Sequence, residues 1–594
     1  MTRVPLRPLA RVLAARAQGE NPDRIERENL RKRHEVLRDK ARLRAEGRLV
    51  VLAGLFFCAF LVVGLKMGAI ASSEPSEPRG HAPGAQIAAA RADIVDRRGR
   101  ILATNLVTHS LYAQPPMMVD PERAARELVK IFPDLEEERL LGWFTGDRKF
   151  LWIRKKISPE QKQAVFDIGE PGLLFGPREM RLYPNGPIAA HIMGGASFGR
   201  EGVNAAEVIG VAGIEKAFDD RLRDPGRAGE PLRLTIDLTV QAAVERVLHG
   251  GMVMMNAKGA TAVLMDAHTG EIAAMASLPD FDPNDRPRPL TEGDASDSPL
   301  FNRAVQGLYE LGSTFKIFAV AQAMELGLVN PETMVNTRGP LTWGKFKIRD
   351  FHDYGAELSV TDVIVKSSNI GTARIAMDIG ANRQRAFLDR LGLLAPSPVE
   401  LVEAPGVVPL TPPNWSEIST MTISYGHGLS ASPLHLATAY ATLLNGGRRV
   451  TPTLVRDGPV ARGPRILSEE TSRVARDMLR QVVTRGTASF GEVPGYAVGG
   501  KTGTADKPKT RGGGYYDDKV IATFASVFPA HDPRYVLVVS LDEPVETSGS
   551  KPRRTAGWTA VPVAAEMIRR VAPLLGLKPE IEPLTPTGVT LTSN

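Results

Sequence analysis

One cysteine in 594 residues removes two chemistries at once. Cys58 has no partner for an intramolecular disulfide, and no thiolate cluster for a metal can be assembled. An oxidising exterior is compatible with such a chain without being required by it. The ten histidines contain no H-x-x-x-H or H-x-x-C grouping, so the familiar zinc spacings are missing too. Net charge is confined to one segment. Residues 1–48 carry 14 Lys/Arg against 7 Asp/Glu, the whole of the formal +7, and residues 49–594 balance at 60 against 60. Charge is then absent from Leu49 to Leu65, in an apolar run that continues past Lys66 to Ala71. Lys66 can snorkel to the headgroups, so 49–71 is long enough for one tilted transmembrane helix. Positive charge just before a single span keeps that side in the cytoplasm and sends the rest across, which leaves no need for nucleic acid as the partner of the tail. The competing readings are a buried soluble helix and a cleaved signal peptide. Ala69-Ile70-Ala71 resembles a cleavage site, but the basic region and the apolar run are both too long for a signal peptide.

At this length more than one domain is expected. In the tail (1–48), Leu30, Leu37 and Leu43 are only loosely periodic, which predicts a solvated helix or disorder. Residues 72–89, rich in Ser, Pro, Gly and Glu, read as a linker. From 90 to 231 short apolar runs alternate with turn signals, and Asp120 with Pro121 starts a helix. No catalytic cluster stands out there, so this is a supporting domain. From 232 to 577 the pattern changes. A hairpin is expected at 261–265 and 271–276, and helices near 313–326, 360–366, 370–378, 382–391, 433–444, 468–485 and 560–575. Ser359, Ser432 and Ser468 supply helix starts, and strands are expected near 497–499, 520–527 and 535–541. This is an α+β domain with an antiparallel sheet. Residues 578–594, Pro/Thr-rich, are expected to be disordered.

The chemistry centres on Gly312-Ser313-Thr314-Phe315-Lys316, which opens an apolar, Ala-rich run without Pro or Gly until Gly327. Residues three apart share a helix face, placing a Ser313 nucleophile beside a Lys316 base. Ser367-Ser368-Asn369 follows 54 residues after Ser313, and Lys501-Thr502-Gly503-Thr504 begins 188 residues after it. Each motif alone is weak, but S-x-x-K, S-x-N and K-T-G in this order specify one chemistry. Lys316 can act as a base only when neutral, and burial with a second cation, Lys501, would lower its pKa. Ser367 offers a proton relay, and Asn369 an amide for a substrate carbonyl. Gly503 leaves room for a peptide added as a strand, and Lys501, Thr502 and Thr504 suit a terminal carboxylate. The backbone N–H groups of Ser313 and Thr504 are candidates for an oxyanion hole.

Two other patterns match by eye. Gly495–Thr502 satisfies the P-loop expression, yet Gly503, Pro508 and Gly512–Gly514 follow where a helix is needed. Gly195-Ala196-Ser197-Phe198-Gly199 satisfies the nucleophile-elbow expression, but its Gly-rich surroundings predict a turn. His427 and His435 flank the helix at 433 and read as structural.

With the three motifs in place, residues 91–577 resemble the class B penicillin-binding proteins, and among them the FtsI type. Arg91–Gly99, Arg181-Leu182-Tyr183-Pro184 with His191 and Gly194, and Gly213–Asp219 are similar to that family's pedestal motifs. Ser367-Ser368-Asn369, Tyr309-Glu310, Tyr425-Gly426-His427-Gly428 and Thr555-Ala556-Gly557-Trp558 favour FtsI over elongation-specific relatives. Leu311 stands where the family has Pro and Ala92 where it has Gly, departures that fall at the approach to the catalytic helix and in the local pedestal backbone. The resemblance implies a penicillin-recognising serine transpeptidase domain, with an antiparallel sheet between helices, on an elongated pedestal behind one membrane helix. It implies D,D-transpeptidation of peptidoglycan stem pentapeptides through a Ser313 acyl-enzyme, with Lys316, Ser367, Asn369 and Lys501 catalytic and Thr502, Gly503 and Thr504 binding substrate. It further implies covalent inhibition by β-lactams, no cofactor, an inner-membrane location at the division septum with the bulk periplasmic, and an FtsW-like glycan polymerase and other divisome membrane proteins as partners. An elongation-specific enzyme and a mainly scaffolding β-lactam-binding protein are the alternatives. A class A enzyme would need a glycosyltransferase domain where the short linker lies.

Overall fold

The computed structural model describes residues 9–72, 91–201, 206–227, 229–456, 458, 463–509 and 513–580. The predicted linker at 72–89 lies outside these residues from 73 onward, as does the terminal tail from 581.

The N-terminal unit is helical. Leu9–Ala17 is followed by one continuous helix of 51 residues, Pro22–Ser72, so the charged segment is a helix rather than disorder. None of the apolar side chains from Leu49 to Leu65 is buried, and among the described residues this is the one helix long and apolar enough to cross a membrane.

In the remaining unit a long strand, Ile101–Ala113, pairs antiparallel with Leu151–Ile157 and Leu173–Leu182. Ile94–Val95 joins that strand to Leu232–Arg233, the way into the larger domain. Asp120 caps Pro121–Ile131 by accepting from Arg123 N, as its sequence predicts. The pedestal motifs converge on one buried carboxylate. Glu215 receives Arg91 Nε at 2.6 Å, Arg181 Nε at 2.7 Å and the Tyr183 hydroxyl at 3.2 Å, while Arg91 also pairs with Asp219 at 2.7 Å. Gly195–Glu201 corrects the expected turn: it is a strand paired with Ala206–Ala212, with Ser197 opposite Ile209, so Ser197 sits on a hairpin strand and not on a strand-to-helix elbow.

Five antiparallel strands form the central sheet: β1 (Gly259–Asp266), β2 (Ile272–Leu278), β3 (Gly499–Pro508), β4 (Tyr515–Phe528) and β5 (Tyr535–Asp542), in the order β3-β4-β5-β1-β2. Helices cover both faces, which is why β1, β2 and β5 are buried along nearly their whole length rather than at alternate residues. One face is packed by α1 (Leu238–Met254) and α7 (Ala560–Leu574). The other holds α2 (Lys316–Glu325), α3 (Val360–Val365), α4 (Asn369–Ile379), the wholly buried α5 (Pro433–Leu444) and α6 (Glu469–Arg485). Ser359, Ser432 and Ser468 cap α3, α5 and α6. Sequence reading missed α1, which starts at the Asp237 cap and carries Gly251 where a Cβ would lie 2.7 Å from Val563 of α7. The strand expected near 497–499 runs instead from Gly499 to Pro508 and contains the whole K-T-G motif, so no helix follows the P-loop pattern. Lys578–Glu580 are ordered rather than part of a loose tail, since Glu580 N donates to Gly495 O at 2.8 Å.

Candidate active site

Ser313 lies in a 3₁₀ turn, Gly312–Phe315, and the α-helix begins only at Lys316. With three residues per turn, positions i and i+3 eclipse, so this turn stacks Ser313 over Lys316 more directly than an α-helix would. The turn is clamped from both sides. Gly312, at φ +55°, donates its N–H to Gly426 O at 3.2 Å, and a Cβ there would fall 2.9 Å from Thr504 O. At Gly503 a Cβ would fall 2.2 Å from Leu311 O and 2.8 Å from Thr314 Cγ2. The side chain missing at Gly503 therefore also makes room for the nucleophile's own turn. Leu311, in the family's Pro position, is buried, and its carbonyl accepts from Thr314 Oγ1 at 2.9 Å. From α5, the Tyr440 hydroxyl donates to Thr314 O at 2.8 Å.

Lys316 and Lys501 are both fully buried. Lys316 Nζ donates to Ser367 O at 2.5 Å and Ser367 Oγ at 3.0 Å, and Lys501 Nζ donates to the same Oγ at 2.9 Å and to Thr502 O at 3.2 Å. Burial, then the neighbouring Lys501 charge, pulls the Lys316 amine well below its ordinary range against a smaller opposing effect of Asp350. Burial brings Lys501 to about 7. Ser367, between α3 and α4, holds φ +63°, a left-handed conformation costly for serine, so its carbonyl and hydroxyl both meet the amines. No hydrogen bond joins Ser313 Oγ to Lys316 Nζ among the described residues; the amine is engaged by Ser367.

Asp350 holds the second motif in place, and no sequence pattern pointed to it. Its carboxylate accepts from Ser368 Oγ at 2.6 Å, Asn369 N at 2.5 Å and Ile370 N at 3.0 Å. The Asn369 amide, expected to hold a substrate carbonyl, donates here to Arg349 O at 2.9 Å. Thr502 Oγ1 pairs with Thr487 Oγ1 at 2.8 Å, and Thr504 Oγ1 accepts from Ala556 N at 3.0 Å. β3 is an edge strand of the sheet. Behind the nucleophile, Glu310 accepts from Gly428 N at 2.7 Å and from the Tyr515 hydroxyl at 3.0 Å, and pairs with His427 Nδ1 at 3.2 Å. Burial raises the Glu310 carboxyl, but these hydrogen bonds outweigh it and leave the group below its usual range. His427 thus belongs to the wall of the site. His435 is structural, bonded to Ser432 Oγ at 2.7 Å and Ala395 O at 3.0 Å.

Residues 260–561 match the family profile of the penicillin binding protein transpeptidase domain, and residues 86–230 that of the penicillin-binding protein dimerisation domain. The chain is 37% identical over 567 residues to a probable peptidoglycan D,D-transpeptidase FtsI of Caulobacter vibrioides, covering 93% of both. It is 29% identical over 491 residues to the peptidoglycan D,D-transpeptidase FtsI of Escherichia coli K12, covering 77% of this chain and 80% of that one. Among solved structures it is similar to penicillin binding protein 3 of Mycobacterium tuberculosis complexed with aztreonam, at a TM-score of 0.62 and 27% identity, over 83% of this chain and 98% of that chain.

Proposed function

Because the chain belongs to the class B penicillin-binding proteins of the FtsI type, and is a serine D,D-transpeptidase, we propose that it cross-links peptidoglycan at the division septum through an ester on Ser313. The observation that carries this reading is the Ser367 hydroxyl lying 3.0 Å from one buried amine and 2.9 Å from another. Two cations this close in a dry site disfavour each other, which favours a neutral amine, and Lys316 is the one beside the nucleophile. In the proposed reaction Ser313 Oγ attacks the penultimate D-Ala carbonyl of a stem pentapeptide while Lys316 takes its proton. The Ser313 and Thr504 N–H groups hold the oxyanion. Collapse breaks the peptide C–N bond, and a proton relayed through Ser367 Oγ leaves with the terminal D-Ala amine. The amine of a second stem then attacks the ester, losing its proton along the same path in reverse, and Ser313 is regenerated. The free edge of β3 receives the donor as an added strand, with Lys501, Thr502 and Thr504 on its terminal carboxylate and Asn369 rotating from Arg349 O to a substrate carbonyl. A β-lactam opens on Ser313 by the same attack and leaves an ester that water removes slowly.

In the cell, residues 49–71 span the inner membrane with the basic tail cytoplasmic and the remainder periplasmic, supported by the charge placement before the span. An FtsW-like glycan polymerase is the expected partner of the span and pedestal. The test is depletion of the wild-type protein while Ser313→Ala is expressed in its place. Long undivided filaments are expected; normal division refutes a catalytic requirement, and rounded cells move the same chemistry to the lateral wall.

A further inference from the structure

A cavity of about 450 Å³ opens beside the second motif, away from the lysine cluster. Its walls are the segment Thr337–Pro340, the loop Arg349–Ala356, and Ile370 in the first turn of α4. The framework around it is built rather than loose. Met334–Asn336 pairs with Glu357–Ser359, and the hairpin of Leu341–Trp343 with Phe346–Ile348 is anchored where Ile348 packs against Ile370, Ala373 and Met421. Gly339 abuts α4 so closely that a Cβ would lie 2.7 Å from Ile370 Cδ1.

Arg338 and Arg349 share this cavity with Asp350 and Asp353, but the two guanidiniums are not paired with those acids. Arg338 and Arg349 both line it, and neither guanidinium has an ion-pair or hydrogen-bond partner among the described residues. The two acids of the same loop are committed elsewhere: Asp350 to Ser368 Oγ, Asn369 N and Ile370 N, and Asp353 to Gly355 N at 2.9 Å. The adjoining hairpin, Leu341–Ile348, adds Lys345 and Lys347 and no acid. Two unpaired planar forks lining one cavity suit a carboxylate, which a guanidinium binds through paired N–H···O contacts. The contact of Arg349 with Asn369 Nδ2, at 2.9 Å, is made by its backbone carbonyl, which a side-chain substitution leaves in place.

We propose that the cavity between Arg338 and Arg349 binds a free carboxylate of a peptidoglycan stem peptide, beyond the reacting D-Ala termini. This rests on the transpeptidase reading. The carboxylate is supplied by the donor stem or by the acceptor stem, and the two sources separate in one experiment. Full-length protein in detergent is given stem peptides with free carboxylates or with the same groups as carboxamides, in wild type and in Arg338→Gln/Arg349→Gln. Wild type favours the free carboxylate about tenfold, and the double variant loses that preference. If the donor supplies it, D-Ala release from the free-carboxylate donor falls. If the acceptor does, D-Ala release holds and only transfer to the free-carboxylate acceptor falls. The rate of ester formation with a β-lactam stays within about twofold, because the acylation groups are untouched, and Arg338→Lys/Arg349→Lys restores part of the preference. Equal use of both peptides by the wild type overturns the proposal, whatever the variants do. Failure of the wild type to form any ester on Ser313 overturns the transpeptidase reading instead.

Discussion

Gly503→Ala tests whether the first and third motifs are fitted to one another or only to substrate. The added methyl would fall 2.2 Å from Leu311 O and 2.8 Å from Thr314 Cγ2. A carbon–oxygen contact needs roughly 3.2 Å, so strand and turn must part by about 1 Å. Neither yields easily: β3 is tied to β4 along Gly499–Pro508, and the turn is held by Tyr440 and Gly426. Overpacking of this kind costs about 1–3 kcal/mol, and displacing a nucleophile by about 1 Å costs on the order of 10²-fold in rate. The assay is the second-order rate of ester formation with a chromogenic β-lactam, run beside thermal unfolding of the same sample. Gly142→Ala, where a Cβ meets nothing within 4 Å, is the control and should leave both unchanged or slightly raise stability. An acylation rate within about threefold of wild type, with only stem-peptide binding impaired, would refute the reasoning and return the space at Gly503 to the substrate.

Lys501→Gln removes the cation that helps lower the Lys316 pKa, so that pKa rises and the neutral amine is reached only at higher pH. The acid limb of the acylation profile should move to higher pH, and an unmoved limb would show that burial alone keeps Lys316 neutral. Glu215→Gln leaves Arg91 and Arg181 buried without their shared counter-charge and should destabilise the protein by about 3–5 kcal/mol. Thermal unfolding measures this, and a loss under about 1 kcal/mol would mean that Asp219 and the backbone carbonyls suffice.

The helix starts at Asp120, Ser359, Ser432 and Ser468 were legible because a cap is a local bond, made to a residue three positions ahead. Helix α1 was not legible: half-wrapped by sheet and α7, it has no clean polar stripe, and paired glycines near its end look like a break. Strand β3 hid for a related reason. Its Lys501 and Thr502 are polar by composition yet buried, since they face a site instead of solvent. Ser197 shows the converse, a five-residue pattern that matched while the chain around it formed a plain strand.

The sequence by itself determined which groups are the candidates for the proposed chemistry, because a nucleophile, a base, a relay and a carboxylate grip must be particular residue types in a particular order. It also determined the single apolar span, because length and the absence of charge suffice for that. Only the tertiary structure decided that the Lys316 ammonium is buried beside a second cation and so sheds its proton more readily, that Asp350 and Glu310 brace the site, and that Gly503 fits the turn. Those properties arise from burial and from contacts between residues 51, 134 and 205 positions apart, such as Lys316 with Ser367, Lys501 with Ser367, and Tyr515 with Glu310. No local spacing rule reaches across such separations, since the folded sheet alone brings those segments together.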